Sequence, residues 1–201
     1  MIRADGYMLH AHSIMLRTHS DVLQSLILRG IVPDFKEPLE VVEGFLDIMY
    51  NDKIDFDREL LLKIGRFSSR LLAWKVLSKI DPKLAFWYEG RDPVTDSTGL
   101  DKVMDDLVFC GNNQGYPQLW KRAFDYIVKW YATYTKWDRY ALHKGTNYNY
   151  LSYKTKLYLV KELLKDKVLD EVDECLFDYL GSERPDWDRY MLCLLFSPHL
   201  R

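Results

Sequence analysis

The spacing of apolar residues changes near the start of the chain. Over residues 7–12, Tyr7, Leu9 and Ala11 alternate with Met8, His10 and His12. From Ser13 onward the apolar residues of SIMLRTHSDVLQSLILRG come in clusters. Alternation is typical of a strand, and clusters at three and four positions are typical of a helix. The pattern therefore predicts one short strand followed by two short helices, with Ser13 and Asp21 as their candidate N-caps.

A proline-containing loop separates these helices from the next elements. Pro33 and Pro38 interrupt the segment IVPDFKEPLEVV, which predicts a loop leading into a short strand at residues 39–42. In VEGFLDIMYNDKID the apolar residues again repeat at three and four positions, and the run ends at the turn-forming YNDK. A helix that ends near Tyr50 is therefore predicted.

The next helical pattern carries a long apolar stripe. RELLLKIGRFSSRLLAWKVLSKI places large apolar residues at helical spacing, which predicts a buried face made of Leu60, Ile64, Phe67, Leu71 and Trp74. Residues 81–99, DPKLAFWYEGRDPVTDSTG, have the composition of a connection between domains. We place the domain boundary there and assign residues 86–99 to the linker.

The second half of the chain has helical patterns around one polar, aromatic segment. LDKVMDDLVFC and PQLWKRAFDYIVKWYATY predict helices, and TKWDRYALHKGTNYNY predicts an irregular insertion. Three further helical stretches follow, with candidate N-caps at Ser152, Asp170 and Asp186. Helices in series predict an α-helical array for this half.

Composition narrows the class of protein. With 201 residues, 48% of them hydrophobic, the chain can bury one substantial core or two small ones. The formal net charge of -2, from 28 basic and 30 acidic residues, gives no bulk attraction for nucleic acid or an anionic membrane. Three scattered cysteines predict neither a disulfide framework nor zinc, and no signal peptide or membrane span is evident. We expect an intracellular protein, in the cytoplasm or the nucleus, whose partners are proteins.

Two stretches resemble the first half of a BTB/POZ domain. AHSIMLRTHSDVLQSLI is similar to that family's pattern of Ala-His followed by an aliphatic residue, a serine and large apolar residues. FLDIMYNDKIDF resembles the family's helix that ends in an aromatic before a short turn. The positions that match the family's structural motif are His12, Leu16, Ser20 and Leu23. For the His12 ring we expect a structural role, because no Cys, Asp or Glu stands at ligand spacing around it.

The helical half resembles the BACK region that follows BTB domains in many cullin-3 substrate adaptors. LSYKTKLYLVKELLKDKVLDEVDECLFDYL and the closing LLFSPHLR carry this likeness. The two resemblances imply an α+β fold that is mostly α. A BTB/POZ-like domain with a short sheet would span residues 1–85, and an all-α BACK-like domain would span residues 100–201. This is the architecture of a kelch-type adaptor that lacks the kelch repeats.

The BTB resemblance also implies where a partner docks. In BTB adaptors a hydrophobic residue, any residue and then Glu form the cullin-docking signature, and DFKE supplies Phe35 and Glu37 at the matching place. An exposed aromatic can fill an apolar pocket while a carboxylate fixes the register. Tyr50 and Asn51 match the second part of that surface. The alternative is structural: Phe35 packs into its own core, Glu37 caps a turn, and Tyr50 is an amphipathic residue at the edge of the core.

These resemblances imply an adaptor that recruits a protein substrate to a cullin-3 RING ubiquitin ligase by proximity. The alternative is a structural scaffold, or a decoy that occupies the cullin and delivers no substrate. The chain begins at MIRADGYML, without the N-terminal helix that supports homodimerisation in the family, and it ends without a substrate-reading module. Homodimerisation and the substrate therefore stay open.

Motifs of enzymes, metals and cofactors are absent from the sequence. It contains no GxSxG, HExxH, P-loop or GxGxxG. Cys110, beside GNNQG, has no identifiable histidine partner, so we expect a small buried thiol rather than a nucleophile. The aromatic segment that holds Trp137 and Tyr148 is a candidate peptide-binding patch, the alternative being ordinary helical core. We expect a protein that is not an enzyme and uses no metal or cofactor.

Overall fold

The computed structural model describes residues 1–92, 99–133, 150–152, 155, 156, 158, 159 and 162. Most of these residues are helical and a small three-stranded sheet accompanies them, so the predicted α+β class, mostly α, is confirmed in this coarse form. The chain divides into two units, Met1–Arg91 with Asn112–Ala123 and Asp92–Gly111 with Phe124–Arg201. The BTB/POZ-like domain at 1–85, the linker at 86–99 and the BACK-like domain at 100–201 stay predictions.

The sheet of the first unit is built around its first strand. It consists of β1 (Ile2–Ala4), β2 (Tyr7–Leu9) and β3 (Asp34–Phe35), in the order β2-β1-β3. β1 pairs with β2 antiparallel and with β3 in parallel, so Ala4 lies between Tyr7 and Phe35. Ile2 and Ala4 are buried, and they tie the sheet to the core.

The prediction of a single strand at the start of the chain is wrong, because the chain forms a hairpin there. Asp5 and Gly6 connect β1 to β2 with φ of 47° and 80°. Two successive residues with positive φ are what a tight two-residue hairpin loop requires, and an Asp-Gly pair is among the sequences that adopt it most readily.

Seven α-helices and one 3₁₀ turn have both of their ends within the described residues 1–92 and 99–133. They are α1 (Ser13–His19), α2 (Asp21–Leu28), α3 (Leu39–Asn51), α4 (Arg58–Arg70), α5 (Trp74–Ala85), the 3₁₀ turn Phe86–Tyr88, α6 (Gly99–Asn112) and α7 (Pro117–Thr133).

Residues 39–42 are the first turn of α3 and not the predicted strand. Pro38 stands at the N-cap, and its carbonyl accepts a hydrogen bond from Val41 N–H at 3.0 Å. Val41 and Val42 are both buried, and the burial continues at Phe45 on the same helix. Four residues are too few to distinguish a strand from a helical turn by their spacing.

Three smaller expectations also differ from the structure. The N-cap of α2 is Ser20 rather than Asp21, and the N-cap position of α1 is His12 rather than Ser13. The predicted apolar stripe does not continue to Trp74, which begins α5 and is exposed. The chain turns between α4 and α5, where Leu72 has a φ of 51°.

Residues Asn112–Ala123 complete the core of the first unit. Tyr116 and Leu119 are buried, and Gln114 O accepts a hydrogen bond from Ser69 Oγ at 3.4 Å. Gly115 has a φ of 98° and passes close to the Leu77 side chain. The segment thus packs against α4 and α5, although α6 separates most of it from them along the chain.

In the second unit, the predicted N-cap at Ser152 is confirmed. Its Oγ accepts a hydrogen bond from Thr155 N–H at 3.2 Å, and Ser152 O accepts one from Lys156 N–H at 3.1 Å. The candidate caps Asp170 and Asp186 lie outside the described residues.

Across the part of the chain that is described, no helix combines the length and the apolar composition needed to cross a membrane.

Candidate functional site

The segment Asp34–Pro38, which we call the docking segment, alternates in exposure. Asp34, Lys36 and Pro38 are exposed, whereas Phe35 and Glu37 are half-buried. This period of two is that of extended backbone, in which successive side chains point to opposite sides. The two residues of the predicted docking signature therefore face the body of the unit, and Lys36 between them faces solvent.

Phe35 packs against α4. Its ring meets that of Phe67 edge-on, with centroids 4.9 Å apart and an interplanar angle of 87°. Phe67 in turn contacts Phe45 of α3 in the same edge-on manner at 5.3 Å. Edge-to-face contacts of this kind are favourable beyond the area they bury. Phe35 thus extends a row of aromatic rings outward from the buried Phe45 and Phe67 of the core.

Glu37 pairs with the last residue of α4. Its Oε1 accepts a hydrogen bond from Arg70 Nη2. The Glu37 side chain is 18% exposed and the Arg70 side chain 62% exposed, so the carboxylate is the more buried member of the pair. The alternative that Glu37 caps a turn has no support here, since Pro38 holds the N-cap of α3.

Tyr50, at the far end of α3, contacts the start of α1. Its hydroxyl accepts a hydrogen bond from His12 N–H at 2.6 Å and lies 3.2 Å from His12 Nδ1. A predicted docking residue and a predicted structural residue are therefore partners. Sequence reasoning missed this pair, and no local signal could have revealed it, because 38 residues separate the two.

Asn51 follows Tyr50 and is exposed. Its Nδ2 donates to Asp47 Oδ1 at 3.5 Å, one turn earlier on the same helix. From Leu39 to Tyr50, α3 rises by about 16 Å at 1.5 Å per residue. The two halves of the predicted docking surface therefore lie at opposite ends of α3.

The remaining positions of the predicted structural motif lie in the core. Leu16 and Leu23 are buried. Ser20, 2% exposed, accepts a hydrogen bond from Leu23 N–H at 3.1 Å and donates one from its hydroxyl to Leu71 O at 2.5 Å. Ser20 thus caps α2 and also binds the end of α4. These two hydrogen bonds explain why a hydroxyl side chain stabilises the fold at this position.

The predicted aromatic patch cannot be placed, because Trp137 and Tyr148 lie outside the described residues. Cys110 is half-buried in α6. Among the residues whose positions are described, no three His, Cys, Asp or Glu side chains form a group that could hold a metal ion.

Comparison with protein-family models, with curated proteins and with solved structures gave no match to this chain. Its function therefore has to be inferred from its own residues.

Proposed function

We propose that this chain is a protein–protein interaction adaptor of the BTB/POZ type, which docks the N-terminal region of cullin-3 and recruits a protein substrate for ubiquitin transfer. The order of elements supports the proposal: two strands, a helical pair, a third strand, α3 and a second helical pair follow one another along the first unit. The BTB/POZ domains that the sequence resembles have a similar order of elements in their first half.

The observation that carries the proposal is the span of α3. The docking segment precedes its first turn, and Tyr50 and Asn51 form its last, about 16 Å away. A surface that uses both ends of such a helix is too long for a small molecule and suits a protein, since specific protein interfaces bury about 800 Å² on each partner. Lys36 and Asn51 are exposed at the two ends.

The adaptor would act by proximity. A substrate held beside the ubiquitin-carrying enzyme has a raised effective concentration, and the adaptor needs no catalytic residue for this. That the chain is not an enzyme, that it works inside the cell, and that its substrate is a protein stay parts of the proposal.

A second candidate function is a scaffold that assembles with other chains and never joins the ligase. One observation favours it: Phe35 and Glu37 are both engaged within the chain, by Phe67 and by Arg70. A decoy that occupies the cullin without delivering a substrate would share the docking surface of the adaptor.

Titration calorimetry against the cullin-3 N-terminal domain tests the proposal. Glu37→Gln keeps the volume of the side chain and removes its charge, and Asn51→Ala changes the other end of α3. We expect each to weaken binding by about fivefold or more, the effect of losing about 1 kcal/mol at an interface residue. Glu40→Gln, an exposed residue in the first turn of α3, is the matched control and should bind like the wild type.

Two results would change the conclusion. If the folded wild type does not bind the cullin domain, the adaptor and the decoy are both excluded and the scaffold becomes the leading function. If it binds but no protein that co-purifies with it is ubiquitylated by the reconstituted ligase, the decoy is favoured. Light scattering of the purified chain measures homodimerisation separately.

A further inference from the structure

The docking segment and α4 match each other in register. Phe35 and Glu37 are two residues apart on extended backbone, which separates their side chains by about 6–7 Å on one side. Phe67 and Arg70 are three residues apart on α4, so they share a helix face at about 5–6 Å. Each residue of the docking signature therefore meets its own partner: Phe35 packs on Phe67, and Glu37 pairs with Arg70.

The other side of the docking segment is fixed to the sheet. Asp5 N–H donates to Phe35 O at 3.2 Å, and Arg3 N–H donates to Pro33 O at 2.8 Å. The segment is consequently held between β1 and α4. Its backbone is anchored through the sheet, and its two inward side chains are anchored through α4.

Arg70 engages the carboxylate that a partner would need. The Glu37 side chain is far less exposed than that of Arg70, at 18% against 62%. A donor on a partner that approaches Oε1 along the same direction competes with the guanidinium for that oxygen. The contact is nevertheless replaceable, because the Arg70 side chain is mostly exposed and its guanidinium can return to water.

We propose that Arg70 is an intrachain latch on Glu37, an autoinhibitory contact that a docking partner must displace. The identity of that partner as cullin-3 rests on the proposed function, whereas the latch itself can be measured without any partner. Its strength would set how much of the partner's affinity is lost in opening the docking segment.

The partner-free test is amide hydrogen exchange on the whole chain. Arg70→Gln removes the charge and keeps a long side chain at the end of α4. We expect exchange at Asp5, whose N–H donates to Phe35 O, to accelerate by about threefold to tenfold, since local opening then breaks no ion pair. Lys63→Gln is the matched control, because Lys63 also lies on α4 and its Nζ is 3.6 Å from Glu40 Oε1, outside the docking segment. Equal exchange in Arg70→Gln and Lys63→Gln would overturn the latch.

Calorimetry with the cullin-3 N-terminal domain supplies the second test. Arg70→Gln should bind about threefold to tenfold more tightly than the wild type, and it should have no effect when Glu37→Gln is already present. Unchanged or weaker binding by Arg70→Gln, while Glu37→Gln binds less tightly, would also overturn the latch. If neither the wild type nor Arg70→Gln binds, the proposed function fails, and the exchange result alone decides the latch.

Discussion

Asp81 caps the first turn of α7 through Leu119. Its Oδ1 accepts a hydrogen bond from Leu119 N–H at 2.8 Å, and its Oδ2 accepts one from Gln118 N–H at 2.9 Å. The first N–H groups of a helix have no partner within the helix, and an N-cap side chain normally supplies one. Here the carboxylate comes from the middle of α5, so one buried residue both satisfies α7 and joins Asn112–Ala123 to the first unit.

Asp81→Asn is expected to remove a pH dependence of stability. Burial raises the pKa of Asp81 above its ordinary value of 3.8, outweighing the two backbone N–H donors that lower it. The folded chain then binds this proton more tightly than the unfolded chain. The contribution of Asp81 to stability is therefore full below the unfolded-state pKa and is lost as the pH rises through the folded-state pKa.

Urea unfolding from about pH 3 to about pH 7 measures this effect. The free energy of unfolding of the wild type, relative to that of Asp81→Asn, should fall as the pH rises. Asp55→Asn removes an exposed carboxylate and shows how much of any slope comes from net charge alone. A difference between wild type and Asp81→Asn that stays constant across the range would contradict the prediction.

Gly65→Ala is expected to destabilise the first unit by about 1–3 kcal/mol through overpacking. A Cβ at Gly65 would overlap the Tyr116 hydroxyl and lie 3.2 Å from Tyr116 Cζ. Tyr116 is buried and immediately precedes α7, so its ring has little room to move. The free energy of unfolding in urea gives the cost.

Two further variants separate overpacking from other effects of Gly65→Ala. Gly44→Ala should cost less, because the nearest atom to its Cβ is the terminal methyl of Ile64 at 2.5 Å, which one side-chain torsion can shift, whereas the Tyr116 oxygen sits on a rigid ring. In a Tyr116→Phe background, which lacks the overlapping oxygen, Gly65→Ala should also cost less than in the wild type. An equal cost in both backgrounds would show that the hydroxyl is not the obstacle.

Ser20→Ala is expected to destabilise the fold by about 1–3 kcal/mol, because it removes an N-cap and leaves buried backbone groups without a partner. Ser20 accepts from Leu23 N–H and donates to Leu71 O, so both α2 and the end of α4 lose a bond. Ser25→Ala, on the exposed side of α2, should change the free energy of unfolding by less than about 0.5 kcal/mol. Similar effects of the two substitutions would argue against the double role of Ser20.

Periodicity predicted the helices well, because burial of one face is a local property of the sequence. Ile64, Phe67 and Leu71 could be assigned to a buried helix face in this way, and all three are buried. The strand expected at residues 39–42 failed because so short a run fits a helical turn equally well. The missed hairpin is different, since the Asp5-Gly6 pair carried a signal for it.

Contacts between distant segments could not be predicted from local patterns. Ser20 and Leu71 are 51 residues apart, and the hydroxyl that joins them gives no sign of its second partner. The same limit applied to the docking segment. The two prolines around it predicted a loop, whereas Asp34–Phe35 form β3, and which alternate residues face inward depends on how β3 pairs with β1 and how α4 lies beside it. That is why Phe35 and Glu37 could be named as candidates while their partners could not.

Replacing Leu72 with Gly is expected to give a more stable chain than replacing it with Ala, by about 1 kcal/mol. Leu72 lies just after α4 with a φ of 51°, a conformation that is strained for any residue with a Cβ. Its N–H donates to Ser69 O at 3.1 Å, which fixes it in this conformation at the helix end. Both substitutions remove the same apolar contacts beyond Cβ. The difference between their free energies of unfolding therefore measures the cost of holding a residue with a Cβ in this backbone conformation.

The matched control is Leu28, an exposed leucine inside α2. There the order should reverse, and Ala should be more stable than Gly by about 1 kcal/mol, because a glycine in a helix loses more conformational entropy on folding. Urea unfolding of the four variants tests both signs. If Leu72→Gly proved less stable than Leu72→Ala, the left-handed turn between α4 and α5 would not exist in the folded chain.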